Sequence, residues 1–143
     1  MNTSEPIPIP YVGNHDGPRR TLTLMLRGPW RDRTPAHVTV DGSTYVLPLG
    51  GPAWFEVPAD RPVHVSVHQQ HQHTTGHAST VLMHWAPPEL EYRGPHLQGF
   101  AGEIGPPGTT SSRGKGCVSV LIALALVAGV LLLLIFLFLV VLL

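Results

Sequence analysis

The chain has 143 residues, in which nine Lys and Arg balance nine Asp and Glu, and it carries one cysteine. That length leaves room for one small domain beside its apolar C-terminal run. Balanced charge gives no electrostatic case for a nucleic-acid binder, which needs a basic face to release phosphate counterions, and a lone Cys117 excludes an intrachain disulfide or a Cys-based zinc cluster.

Residues 1–18 alternate Pro6, Pro8 and Pro10 with Ile7 and Ile9. Proline donates nothing to a β-ladder and favours an extended polyproline-like chain, so this segment is expected to be a disordered arm. It lacks the basic and apolar regions of a secretory signal.

From Thr21 the pattern changes to period two. Leu22, Leu24 and Leu26 fall on one face of TLTLMLR, as in a half-buried strand stopped by Gly28 and Pro29. Ala36 to Val40 and Ser43 to Leu49 flank Asp41-Gly42, a hairpin signal because tight primed turns need positive φ. Ala53 to Val57 is a short aromatic strand ended by Pro58. In the next run Val63, Val65 and Val67 oppose His64, Ser66 and His68. Ala78 to Trp85 and Leu90 to Tyr92 complete about six or seven strands, with no helical periodicity before the C-terminal run. The expected fold is mainly β, a small antiparallel β-sandwich head over residues 19–93. A head of that size lies near the lower limit for an unaided core.

Residues 94–116 are rich in Gly, Pro, Ser and Thr and read as a flexible linker, a coil with ends on the order of 25 Å apart, the alternative being that Leu97, Phe100 and Ile104 pack back on the sheet. Residues 117–143 read as one transmembrane α-helix. Val118 to Leu143 is apolar apart from Ser119, and Val118, Leu121, Leu126, Leu132, Phe136 and Leu143 mark its course as a membrane anchor. Arg113 and Lys115 flank the run on its N-terminal side, which by the positive-inside tendency keeps the head cytoplasmic in a single-pass, tail-anchored topology. The same tail superficially matches a lipid-anchor transfer signal, which requires entry into the secretory pathway. Ala125 and Gly129 make one small-xxx-small step, too common a pattern to assign a dimer.

Histidines supply the densest candidate chemistry. His68, His71, His73 and His77 are the candidate metal ligands, since imidazole suits Zn or Cu. Against that, no carboxylate lies between Asp60 and Glu89 to orient a ligand ring, and the surrounding Gln, Thr and Gly resemble an exposed hairpin tip. A solvated loop, weak metal binding and a pH-responsive cluster therefore all stand as readings, and no cofactor is otherwise expected. Neither a Gly-x-Ser-x-Gly elbow, nor a His-Glu-x-x-His pair, nor a phosphate loop occurs, so no catalytic residue is assigned. For Trp30, Trp54, Phe55 and Trp85, core or sheet-face packing is the default and an exposed interfacial patch the alternative.

Three short stretches carry a resemblance: Val40-Asp41-Gly42, the segment PADRPVHVSV from Pro58 to Val67, and Tyr92-Arg93-Gly94-Pro95. With the order of features they resemble a group of small actinobacterial membrane proteins that join a β-sandwich head to a Gly/Pro-rich linker and a hydrophobic anchor. The turn-and-strand rhythm is also similar to PEGA-type domains, although the Pro-Glu-Gly-Ala signature is absent. The resemblance implies fold and location and no functional residue. The expected role is a non-enzymatic interaction or accessory module at the cytoplasmic membrane face, with the bilayer and other membrane proteins as partners and nucleic acid excluded. The alternative is a histidine-based metal or pH module; an enzyme of unrecognised type is remoter still.

Overall fold

The computed structural model describes residues 7–28, 34–70, 74–96, 99–112 and 115–142. The chain divides into two compact units, residues 1–113 and 114–143.

In the first unit the described residues form two four-stranded sheets. One runs in the order β4 (Gly51–Pro58), β1 (Arg19–Arg27), β7 (Glu89–Arg93), β8 (Glu103–Gly105). The other runs β3 (Ser43–Leu47), β2 (Ala36–Val40), β5 (Val63–Gln70), β6 (Thr74–Leu82). Period-two patterning does what it should: Leu22, Leu24 and Leu26, Val38 and Val40, Phe55 and Val57, and Val63, Val65 and Val67 are all buried in one core. Tyr45 and Leu47 pack against this core while Val46 faces out.

The β2–β3 hairpin turns on Asp41 and Gly42 with φ of 45° and 91°, the pair of positive values that a primed turn demands. Asp41 is held there because its carboxylate accepts the His64 backbone N–H at 2.8 Å and the Tyr11 hydroxyl at 2.9 Å.

Three features depart from the expectations. First, β1 pairs antiparallel with β4 but parallel with β7, Leu24 standing opposite Leu90. Parallel neighbours need a long crossover, here the chain's passage through the second sheet, which no local pattern records.

Second, residues 7–18 are not a disordered arm. Ile9 bridges to Phe55 on edge strand β4, donating its N–H to Trp54 and accepting from the Glu56 N–H, both at 2.8 Å. Both polar groups of an extended residue point to one side, so Ile9 faces β4 while Pro8 and Pro10 turn their missing donors away from it. His15 to Asp60 at 3.1 Å extends the attachment, and the His15 carbonyl accepts from the Arg19 guanidinium at 3.2 Å.

Third, residues 99–112 are not free coil. Ile104 of β8 pairs with Tyr92, and Ser111 donates its N–H and hydroxyl to Glu103 at 2.8 and 2.9 Å. Gly108 donates its N–H to Glu91 at 2.9 Å, and the Ser112 hydroxyl donates to the Gly94 carbonyl at 3.0 Å. Glycine raises the entropy of an isolated chain and proline removes a donor, but a sheet edge and two carboxylates offer the remaining backbone groups partners that composition does not reveal.

The second unit is α1 (Lys115–Leu142), 28 residues, which starts two residues before the expected boundary at 117. Over the residues described with their side chains, no helix is long and apolar enough to cross a membrane. The fully described stretch of α1, 119–133, rises about 22 Å at roughly 1.5 Å per residue, whereas the whole helical backbone rises about 42 Å. Leu121, Leu126 and Leu132 are exposed on it. The backbones of Lys115, Val118 and Phe136 are helical, and Arg113 and Leu143 lie outside the described residues.

Candidate interaction site

The most distinctive surface of the head is built from the end of β6, the turn that follows it and the turn after β8. Leu82 is the last inward residue of β6. Past it the chain makes a turn in which the Ala86 N–H donates to the Met83 carbonyl at 3.0 Å. Pro87 and Pro88 then prevent any helical continuation and lead into β7, where the Pro88 carbonyl accepts the Thr23 N–H at 2.9 Å.

Arg20 fixes this turn. It shares parity with Leu22 and Leu24, so its side chain leaves β1 on the inner face, where the core gives out at the end of the sandwich. Its guanidinium donates to three successive parts of the turn: the carbonyls of Met83 at 2.8 Å, His84 at 3.0 Å and Ala86 at 2.7 Å. A planar fork with several donors suits such a cluster of carbonyls, and a lysine ammonium does not reproduce it.

On the pinned turn Trp85 is 75% exposed, with Met83 at 41% and Val81 at 50% beside it. The expectation of core packing therefore fails for Trp85. Trp54 is half-buried on β4, Phe55 alone of the set is in the core, and Trp30 lies outside the described residues. Beside Trp85 opens a cleft of about 600 Å³ whose walls include Leu82, Met83, Pro87, Pro106 and Pro107. Among the described residues lining it, Glu89 is the one charged side chain. The alternation from Ala78 to Trp85 predicts a strand that includes Trp85, and nothing in it locates Pro106 and Pro107 beside the same cleft; the signal in the sequence is Arg20, an arginine at inward parity on β1.

The histidines lie on the outer face of the other sheet. His68 is on β5 and His77 on β6, both on strands rather than in a loop, because the β5–β6 pairing runs out to Gln70 opposite Thr74, with a register shift between Val67 and Gln69. His71 and His73 lie outside the described residues. A residue absent from the sequence-based set, His37 on β2, is the register partner of His68, and their rings stack with centroids 5.0 Å apart and planes at 15°. Burial, then the neighbouring imidazoles of His37 and His77, hold His68 below the ordinary histidine value of 6.5. Among the described residues no group of three His, Cys, Asp or Glu side chains is placed to hold a metal ion. In the stack, the charged form of His68 is the one disfavoured.

Comparison with protein-family models, with curated proteins and with solved structures finds no match for this chain.

Proposed function

We propose that this protein is a membrane-tethered, non-enzymatic β-domain that serves as an interaction or accessory module at the cytoplasmic face of the membrane, of the same general plan as the small actinobacterial membrane proteins it resembles. The anchor rests on the apolar run from Val118 to Leu143 together with the 28-residue helical backbone of α1. The observation that carries the interaction role is the Trp85 turn, where three hydrogen bonds from Arg20 hold the backbone on either side of a large exposed aromatic beside an apolar cleft. Exposed apolar surface of this kind in a small head is characteristic of a contact site.

Alkaline carbonate extraction of membranes from cells expressing the full chain tests the anchor: the protein should remain in the pellet, and release into the supernatant would refute the reading. Protease added to intact cells should spare the head, and its digestion there would reverse the topology.

A second reading, a histidine-based metal or pH-responsive module, draws support from the His37–His68 stack. Calorimetric titration of the detergent-solubilised chain with Zn and Cu tests its metal form, which a featureless isotherm would remove.

A further inference from the structure

We propose that the Trp85 turn and its cleft are the surface through which the head enters the headgroup layer of the bilayer, the ligand being a lipid surface. This rests on the anchor reading above and adds a specific place of contact. Three independent features converge on it.

The first is the chemistry of the patch. Trp85, Met83 and Val81 present an apolar surface, with exposed His84 on the same turn and Thr80 and Glu89 as the polar side chains of the cleft. An indole, with its apolar body and single donor, favours the boundary between headgroups and acyl chains. The second is rigidity. An exposed tryptophan on a slack loop would lose conformational freedom on insertion, whereas the Arg20 fork and the Ala86 to Met83 bond have already ordered this turn.

The third is chain continuity. The cleft wall at Pro106 and Pro107 runs directly into Gly108, bonded to Glu91, then Ser111, bonded to Glu103, then Ser112, bonded to Gly94. The segment that forms the cleft is therefore the segment that leads into α1.

The test uses the full chain in lipid nanodiscs, with Trp30→Phe and Trp54→Phe leaving Trp85 as the emitter. Discs of ordinary lipid are compared with discs whose acyl chains are brominated. Trp85 emission should be blue-shifted in ordinary discs and should lose most of its intensity in brominated ones. Should the double substitution unfold the head, the difference between the otherwise unaltered chain and Trp85→Ala in the same two discs gives the same readout. Equal emission from chain that stays in both kinds of disc would overturn the proposal and leave the anchor intact. A blue shift without bromine quenching would place Trp85 against protein, a second copy or another chain, and would overturn it too. Release of the chain from the discs by an alkaline wash would refute the anchor and this proposal together.

Discussion

Glu91, with only 2% of its surface exposed, receives the backbone N–H of Gly108 at 2.9 Å and the Arg93 guanidinium at 2.7 Å. One carboxylate on a central strand thereby holds the turn that follows β8. Burial alone would raise its pKa, but the Gly108 N–H, Arg93, the Thr110 hydroxyl and Arg27 outweigh burial and bring it below the ordinary 4.5.

A carboxyl whose folded value lies below its unfolded one adds stability that is complete above the unfolded value, near 4.5, and is lost as pH falls through the lowered one. Thermal unfolding followed from neutral pH downward should therefore show little change until about pH 5 and a decline below it. Glu91→Gln should lower stability at neutral pH by about 1.5–3 kcal/mol, the range for a hydrogen bond to a charged group, and should flatten that acid limb. An unchanged acid limb in Glu91→Gln would show that another carboxylate is responsible.

Tyr92 is buried and its hydroxyl donates to the Gly76 carbonyl at 2.7 Å. Tyr92→Phe should cost about 1–3 kcal/mol by leaving a buried carbonyl short of its donor. Gly76→Ala should cost more than Tyr92→Phe, because Gly76 has φ of +65° and an added Cβ would lie 2.6 Å from the Tyr92 hydroxyl. Chemical denaturation of the two variants checks the order.

Ile9→Pro removes the donor to Trp54 and with it one half of the bridge to β4. A loss of about 1 kcal/mol is expected, together with a larger rise in self-association, since β4 then presents an open edge. Light scattering on the solubilised chain distinguishes this from a purely local loosening, which would leave the scattering unchanged.

His68 should titrate by NMR below 6.5, and His37→Gln should move it part of the way back. The return is partial because burial, the larger cause, remains while one neighbouring charge is removed. The folded state thus favours neutral His68, so its contribution is present above the unfolded value and lost as pH falls through the depressed one. A His68 midpoint unaffected by His37→Gln would mean that the stack carries no electrostatic coupling.

Alternation along Leu22 to Leu26 and Val63 to Val67, the Asp41-Gly42 turn and the apolar run from Val118 were legible in the sequence because each is a local property, fixed by a period or by the φ that one residue type tolerates. Strand neighbours were not legible. The parallel pairing of β1 with β7, the bridge from Ile9 to Phe55 and the His37–His68 stack depend on which distant strand lies alongside, and no spacing within either segment encodes that. The same holds for the burial of Glu91 and the exposure of Trp85. A carboxylate is buried where distant donors converge on it, and an aromatic stays outside where an arginine on another strand has satisfied the turn beneath it. Sequence by itself determined which residues face inward and where the chain turns or becomes apolar; tertiary structure alone decided which polar groups meet, because satisfying a buried donor or acceptor is a non-local requirement.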